Sequence, residues 1–345
     1  MIRNKIYIAW DIGGAHLKRC IMDWRKHSCS IFLCELWKNN CLEDIINKTN
    51  KTYGKKREVR NIVTMSGEMS DIYNSRLDGV NKILKVFKSY SNTKIYTKRK
   101  GLIFLKERNI KSDIASSNWH VTAEYLKKYI NNGMIIDLGS TTTDFILIKN
   151  KNIINKRFDD FSGLKNQELV YSGVLRTPIF WITKSVKIRG QLLSIIPENF
   201  STFADILIIL NVIPKSYYYS STADGKDKTK IDSLKRLSRS FGFDYKPDKR
   251  LLLYKAAYLI YTHFIKDTTN IINNHLKKNY SKHKDVMIIG AGIGENLVAK
   301  ICKSCKFRYL SLAQLLKIKV NKSRINPIHI TPAYLLARMS QEIDE

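Results

Sequence analysis

The chain of 345 residues is 44% hydrophobic and carries a formal net charge of +30 at pH 7, and this length predicts about two domains with a core that needs no disulfide bonds. Its lysines are spread along the whole chain, so the charge favours polyanionic small molecules over nucleic acid as partners. No apolar run reaches the about 18 residues of a transmembrane helix, and Asp11 interrupts the first apolar run too early for a signal peptide, so we expect a cytoplasmic protein without a membrane partner.

The first 130 residues alternate between strand-like and helix-like segments. Short apolar or alternating runs predict strands at residues 5–10, 17–24, 29–37, 60–65 and 102–105. Apolar residues recur at helical spacing from Leu77 to Phe87, and a second helix is predicted after a cap at Ser117 or Asn118. We therefore predict a first domain over residues 1–130.

The segment GMIIDLGSTTTDFILIKN (133–150) repeats the order found in IYIAWDIGGAHLKRCIMDW (6–24): strand, aspartate, glycine turn, strand. The repeat predicts two related halves, with a second domain over residues 131–345. Residues 158–245 are less regular and are interpreted as an insertion in that domain. Three further elements are predicted: a long apolar helix at 248–278, a strand, glycine loop and helix at 284–303, and a terminal helix beginning at Thr331.

Both hairpins have chemistry suited to phosphate. Backbone N–H groups at glycine turns can converge on phosphate oxygens, because glycine permits the close approach and the φ angles required. Two such hairpins facing each other would hold a diphosphate from both sides, with Asp11 and Asp137 as candidate ligands of Mg²⁺ through water. The candidate phosphate-binding residues are Gly13, Gly14, His16, Lys18, Gly139, Ser140, Thr141, Thr142, Gly290, Gly292 and Gly294.

Two later motifs leave alternatives open. The glycine loop at residues 290–294 has the spacing G-x-G-x-G and not the G-x-G-x-x-G of a dinucleotide fingerprint. It predicts either contact with a nucleotide or phosphate, or glycines that let a helix pack closely on a strand. Cys302 and Cys305 form half of a zinc-site pattern without a second pair, so we expect free thiols at the six cysteines.

The chain resembles the actin, sugar-kinase and Hsp70 superfamily in an ordered set of motifs. These are DIGG at 11–14, DLGSTTTD at 137–144 and the glycine loop at 290–294. In that superfamily the first two are phosphate hairpins and the third contacts a nucleotide. The resemblance implies an α/β fold with two ribonuclease-H-like (actin/Hsp70-type) domains and a ligand cleft between them. It leaves open an ATP-dependent kinase or ATPase, and an actin-like scaffold that binds nucleotide without turnover.

A closer resemblance covers nearly the whole chain. The chain is similar to hydantoinase/oxoprolinase-related proteins linked to tetrahydromethanopterin-dependent C1 transfer, in the segments WDIGGAHLK, TMSGEMSD, IIDLGSTTTDFILI, ELVYSGVLRTP, ENFSTFADILIIL and TADGKDKT. The activity assigned in that family is a step of methanofuran synthesis, in which a furan-methyl diphosphate condenses with γ-glutamyltyramine and releases pyrophosphate. The resemblance therefore implies a transferase acting on a diphosphate ester. Ala15, His16 and Lys18 depart from the Gly-Gly-Thr-acid pattern of hydantoinases, so ATP is not favoured as a cofactor.

The condensation would need a base to accept the phenol proton. Glu68 and Asp144 are the candidate bases, and Asp11 is the third candidate catalytic carboxylate. The alternatives are that Glu68 is a charge at a helix N-terminus and that Asp144 caps its own turn. Ser66 and Arg176 are candidate substrate-binding residues, since arginine can bind a carboxylate or phosphate through two hydrogen bonds. The sequence leaves open whether the acceptor derives from tyramine or tyrosine, and whether the protein forms a homo-oligomer.

Overall fold

A computed structural model describes residues 4–24, 26–38, 41–107, 113–281, 285–319 and 325–345. The chain divides into two compact units. The first consists of Met1–Ile135, Ile146–Glu168 and Leu312–Glu345, and the second of Ile136–Phe145 and Leu169–Ser311. Both units combine helices with mixed β-sheet, so the chain has an α/β fold, as predicted.

The strands of the described residues are β1 (Lys5–Ile12), β2 (His16–Met22), β3 (His27–Leu33), β4 (Glu58–Met65), β5 (Thr93–Thr97), β6 (Gly101–Phe104), β7 (Asn132–Leu138), β8 (Thr143–Lys149), β9 (Asn152–Ile153), β10 (Leu169–Val170), β11 (Ser185–Ile188), β12 (Gln191–Ser194), β13 (Met287–Ala291) and β14 (Tyr309–Ser311). The helices are α1 (Leu42–Gly54), α2 (Arg76–Lys85), α3 (Asn118–Leu126), α4 (Asp160–Lys165), α5 (Ile179–Ile182), α6 (Phe203–Ile209), α7 (Lys230–Arg239), α8 (Arg250–Asn279), α9 (Glu295–Ser304), α10 (Leu312–Leu315) and α11 (Thr331–Asp344).

The sheet of the first unit has the strand order β3-β2-β1-β4-β5-β6. Strands β1, β2 and β3 form an antiparallel meander, β1, β4 and β5 are parallel, and β6 returns antiparallel to β5. The central strand β1 is buried on both faces, as is usual for the parallel part of an α/β sheet. Ile8, Trp10 and Ile12 belong to the core that includes residues of α1 and α2, whereas the hydroxyl of Tyr7 donates to Asp344 of α11 at 3.0 Å.

The second sheet has the order β10-β8-β7-β13-β14, and β9 pairs with β8. Strand β10 runs antiparallel to β8, and β13 runs parallel to β14. If the two-residue strand β9 is set aside, the path β10-β8-β7-β13-β14 has the same order as β3-β2-β1-β4-β5 of the first sheet. This repeat confirms the prediction of two related halves that was made from the two aspartate–glycine hairpins.

The predicted domain limits and the compact units differ mainly in two stretches, because Ile146–Glu168 and Leu312–Glu345 belong to the first unit. The sequence assigns residues 131–345 to one domain, but α11 packs against β1, β2, β4 and α3 of the first unit. Nine of the 14 residues of α11 are buried, all of them between Thr331 and Ser340. Burial of its apolar face on the first sheet, rather than proximity in the sequence, decides where this helix belongs.

The irregular segment predicted as an insertion is organised around a buried ion pair in the second unit. Asp205 and Arg236 are both fully buried, and Nε and Nη2 of the arginine donate to Asp205 Oδ1 at 2.9 and 2.7 Å. A second carboxylate, Asp224, accepts from Arg236 Nη1 at 3.0 Å. The motifs STFAD and TADG therefore meet at one guanidinium, which ties α6 to α7.

We predict that Arg236→Met lowers the free energy of unfolding by about 3–5 kcal/mol, because the buried carboxylate of Asp205 loses its counter-ion. Urea denaturation measures the change. Arg239→Met on the same helix is the matched control: Arg239 is 42% exposed and approaches Asp224 at 3.5 Å, so its loss should cost about 0–1 kcal/mol. Equal small losses in the two variants would contradict this assignment.

Candidate functional site

The turn of the first hairpin is held by backbone hydrogen bonds from two directions. Gly13 N donates to His16 O at 3.0 Å, closing the turn between β1 and β2. The carbonyl oxygen of Ile12 accepts from Ser66 N at 3.0 Å and from Gly67 N at 2.9 Å. A Cβ on Gly67 would lie within 2.9 Å of three backbone atoms of residues 13 and 14. Only glycine permits this contact, so the SGE turn after β4 and the hairpin form one structure.

The second hairpin repeats this arrangement in the second unit. Gly139 N donates to Thr142 O at 2.9 Å, and the carbonyl oxygen of Leu138 accepts from Gly294 N at 2.8 Å. Leu138 follows Asp137 as Ile12 follows Asp11, and the donors lie in the loops that follow β4 in the first sheet and β13 in the second. The turn residues 139–142 are half-buried, as are Gly13 and Gly14.

A further glycine supports the second hairpin from its other side. A Cβ on Gly173 would lie 2.5 Å from Thr141 N, while Val174 N and Leu175 N donate to the carbonyl oxygens of Gly139 and Ser140, each at 3.0 Å. No role for Gly173 was predicted from the sequence. Its position in SG, the dipeptide that also occurs at residues 66–67, is the signal that could have identified it.

The glycines of the 290–294 loop are required by packing. A Cβ on Gly294 would lie 2.3 Å from Leu138 Cγ, and one on Gly292, which has φ +81°, would lie 2.4 Å from Asp137 Oδ1. Beside the loop, the hydroxyl of Tyr309 donates to Glu295, and burial raises the pKa of that tyrosine. The close-packing alternative is thus supported for this loop, while phosphate binding by Gly290, Gly292 and Gly294 stays a prediction.

Asp11 is buried at the end of β1 and forms an ion pair with Lys18. Lys18 Nζ lies 3.1 Å from Asp11 Oδ2, because the two residues are opposite each other in the β1–β2 register. Asp11 Oδ1 is buried and has no hydrogen-bond partner among the described residues. Oδ1 is therefore the candidate ligand for a water or a cation, because Oδ2 already pairs with Lys18. His16 is buried on the same strand.

Glu68 is completely buried and accepts two hydrogen bonds at one oxygen. Ser116 N and Ser116 Oγ lie 2.8 and 2.9 Å from Glu68 Oε1, and Oε2 has no partner among the described residues. Burial raises the pKa of the Glu68 carboxyl above its ordinary 4.5, and the nearby Asp160 raises it further, against the opposing effect of Ser116. The alternative of a charge at a helix N-terminus does not describe Glu68, which is buried in a turn well before α2 begins at Arg76.

Ser116 also connects Glu68 to a second carboxyl, that of Asp160. Its Oγ lies 2.8 Å from Asp160 Oδ1, yet a hydroxyl has one proton to donate. The Ser116 hydroxyl can therefore donate to only one of the two carboxylates at a time, and it connects them as a shared donor. Ser116 has φ +46°, an uncommon conformation for a residue other than glycine. The sequence offered no signal for Ser116 or Asp160.

Lys98 is a buried cation in the same part of the first unit. Its Nζ donates to the carbonyl oxygens of Ala115 and Phe158 at 2.6 and 2.7 Å. Burial lowers the pKa of Lys98 to about 8, although the charge of Glu68 opposes that shift. The cation and the Glu68–Ser116–Asp160 chain therefore belong to one electrostatic system that the sequence did not predict.

The other predicted site residues lie as follows. In the first unit, Ser66 Oγ accepts from Asn118 Nδ2 at 3.3 Å. In the second, Asp144 is buried in β8 opposite Leu169, and Arg176 is half-buried with its N donating to Ser140 O at 3.0 Å.

The structure brings the predicted site residues together in two groups. Asp11, Ser66 and Glu68 lie close to one another along the chain contacts of the first unit, and Asp137, the 139–142 turn and Arg176 do so in the second. Their catalytic and binding roles stay predictions.

The described residues contain no group of three or more histidine, cysteine or acidic side chains placed to hold a metal ion. All six cysteines are free, which agrees with the expected thiols. Within the described ranges, no helix is long and apolar enough to cross a membrane.

A sequence model of the hydantoinase/oxoprolinase family matches residues 60–320. The chain belongs to this family. A (4-{4-[2-(gamma-L-glutamylamino)ethyl]phenoxymethyl}furan-2-yl)methanamine synthase of Methanocaldococcus jannaschii is 31% identical over 287 residues, 82% of this chain and 84% of the relative. The synthase of the same name from Methanococcus vannielii is 29% identical over 198 residues, 56% of this chain and 86% of the relative.

Among solved structures, nucleotide-free acetone carboxylase superposes with a TM-score of 0.53 at 10% identity, over 87% of this chain and 67% of that one. Together with the two matching sheet orders, this likeness confirms the fold with two ribonuclease-H-like domains of the actin/Hsp70 type. The family prediction is confirmed as well. The relatives are named as synthases, and this confirms the prediction of an enzyme with small-molecule substrates.

We predict that Glu68→Gln makes the protein more stable than the wild type at pH 8 but not at pH 4. A carboxyl whose pKa is raised by folding favours the folded state below its unfolded pKa, about 4.5. That contribution is lost as the pH rises through the folded pKa, because the buried group must then become charged. The neutral amide avoids this cost, which we put at about 1–3 kcal/mol.

Urea denaturation of both proteins across this pH range measures the difference. Glu198→Gln, at an exposed position, is the control and should show no pH-dependent gain. A Glu68→Gln variant that tracks the wild type at every pH would contradict the raised pKa.

Proposed function

We propose that this protein is a condensing synthase of methanofuran-type cofactor synthesis, which joins a furan-methyl diphosphate to a phenolic amine and releases pyrophosphate. The supporting observation is the similarity to two synthases of one name, one of them over 82% of this chain. That name describes a phenoxymethyl furan carrying a methanamine. Its aryl ether is the bond that such a condensation forms.

The reaction balances without an added phosphate donor. The C–O bond between the furan methylene and the diphosphate breaks, and the phenol oxygen forms a new C–O bond to the same carbon. The phenol loses one proton, and pyrophosphate leaves with the bonding electrons. An electron-rich furan stabilises positive charge on the methylene carbon, so the enzyme's main task is to stabilise the leaving group.

The two hairpins support the binding of pyrophosphate in this proposal. Each has a half-buried turn after a strand-terminal aspartate, and each turn is fixed by backbone hydrogen bonds at 2.8–3.0 Å. Fixed backbone dipoles need little reorganisation as charge develops on the leaving group. That the two hairpins hold one diphosphate from both sides stays a prediction.

Mg²⁺ fits this chemistry. Mg²⁺ commonly binds through one or two carboxylates, several waters and substrate phosphates, rather than in an all-protein cage. The unpartnered, buried Oδ1 of Asp11 suits such a site in the first unit, and Asp137 is the candidate in the second. A bound Mg²⁺ would stabilise the developing charge of the pyrophosphate.

The Glu68–Ser116–Asp160 chain is proposed to take up the phenol proton. Glu68 is sealed from solvent, whereas the side chain of Asp160 retains 14% exposure. Asp160 takes the phenol proton and passes it to the Ser116 oxygen, and the Ser116 hydroxyl gives its own proton to the Glu68 carboxylate, which keeps it. A raised pKa suits Glu68 to hold a proton taken from a phenol, since proton transfer is most effective when the base is not too weak.

We predict that the purified protein forms the aryl ether and pyrophosphate in equal amounts from the furan-methyl diphosphate, γ-glutamyltyramine and Mg²⁺ without ATP. Removal of Mg²⁺ with a chelator should stop the reaction. Glu68→Gln should lower kcat by about 100-fold or more, because the proton chain loses its acceptor. Product analysis by mass spectrometry and a pyrophosphate assay provide the measurements.

Asp71→Asn is the matched control for Glu68→Gln, since Asp71 is exposed three residues further along the same motif. It should retain wild-type kcat. ATP turnover without ether formation would replace the synthase with the kinase alternative, and nucleotide-dependent polymerisation without turnover would support the scaffold.

A further inference from the structure

The second unit contains a small cavity directly beyond its phosphate hairpin. The cavity has a volume of about 110 Å³ and lies among β8, β10, α5 and α8. Thr143, one residue after the 139–142 turn, forms part of its wall. The other side of the turn connects to the same wall, because Thr143 Oγ1 donates to Ser172 O at 2.6 Å and Gly173 lies against Thr141.

The wall is mainly aromatic and aliphatic. Phe145 and Phe264 are buried in it, but Trp181 is 68% exposed. Trp181 is therefore an indole that lines the cavity and is also accessible from solvent, so a ligand in the cavity can contact it. The RTP motif positions this indole, since Trp181 N donates to Pro178 O at 3.1 Å and Ile179 N to Ser201 O at 3.2 Å.

One carboxylate, Asp267, lies on this wall. Among the described residues its side chain has no ion pair and no hydrogen bond. The positions that share its face of α8, three and four residues away, hold His263, Phe264, Asn270 and Ile271, so neither lysine nor arginine neutralises it there. An uncompensated acid in a chain of net charge +30 is a local attraction for a cation.

The hydroxyl groups of the wall add hydrogen-bond acceptors. Thr143 uses its proton on Ser172 O, and Thr268 Oγ1 donates to Phe264 O at 2.9 Å. The lone pairs of both oxygens remain available to accept. An ammonium group, with three donors and no acceptor, is the partner that a carboxylate and two accepting hydroxyls fit.

We propose that this cavity binds an aromatic ring bearing a primary aminomethyl group, with Asp267 as the counter-ion of the ammonium and Trp181 against the ring. Aromatic walls also attract a cation directly. The assignment rests on the proposed function in one respect: it identifies the ring as the furan of the diphosphate substrate. The ammonium lies in the cavity and the diphosphate lies at the adjoining 139–142 turn, so Asp267 determines specificity for the amine.

Binding of a simple probe tests the cavity separately from catalysis. Furfurylamine carries the ring and the ammonium without the diphosphate, and furfuryl alcohol is its neutral analogue. In ligand-observed NMR titrations at pH 7, the wild type should bind the amine about tenfold more tightly than the alcohol, because a hydrogen bond to a charged partner outweighs a neutral one. Asp267→Asn should remove this preference and leave the affinity for the alcohol unchanged.

Asp244→Asn is the control, since Asp244 is another exposed acid of the same unit, and it should retain the preference for the amine. Unchanged affinity for the alcohol shows that Asp267→Asn is folded. Equal binding of amine and alcohol by the wild type, no binding of the amine, or full preference in Asp267→Asn would overturn the assignment. Synthase activity combined with any of these results overturns the cavity alone, whereas an Asp267-dependent preference without ether formation overturns the synthase alone.

Discussion

Two backbone carbonyl groups, those of Ile12 and Leu138, organise the candidate site. Each belongs to the last residue of the first strand of its sheet, directly after an aspartate, and each accepts a hydrogen bond from the glycine-containing loop that follows β4 or β13. These bonds bring the loops so close to the strand ends that a Cβ on Gly67 or Gly294 would overlap neighbouring atoms. The hairpin turns are thus fixed before any ligand arrives, which is the condition for stabilising a leaving group electrostatically.

Much of this fold could be predicted from local patterns. Apolar strands that end in aspartate and glycine identified both hairpins, and their repetition indicated two related halves. The position of α11 could not be read in this way, because its burial depends on the surface of a sheet built from residues about 300 positions earlier. Arg236 is a similar case: in the sequence it is one arginine in a basic helix, and in the fold it is the fully buried partner of Asp205.

The candidate site was predictable where a motif carried it and not where tertiary packing did. Glu68 stood out in the SGE turn, but its partners Ser116 and Asp160 are 48 and 92 positions away, as 116 − 68 and 160 − 68 show. Nothing in their local sequence marks them. The glycine loop is a different case, since the contacts with Leu138 and Tyr309 require its glycines whether or not the loop also binds phosphate. The spacing of a motif predicts that glycine is required at a position, but only the packed structure shows which neighbouring atoms exclude a side chain there.

We propose an enzyme in which the hairpin turns stabilise pyrophosphate and the Glu68–Ser116–Asp160 chain takes up the phenol proton, without a nucleotide. In this proposal the phenol oxygen attacks the furan methylene directly. Isotopic labelling tests this most directly: γ-glutamyltyramine with ¹⁸O in the phenol is incubated with the diphosphate, Mg²⁺ and enzyme in the absence of ATP. Direct attack predicts that all of the label appears in the aryl ether and none in pyrophosphate. Label in phosphate or pyrophosphate, or an absolute requirement for ATP, would contradict it.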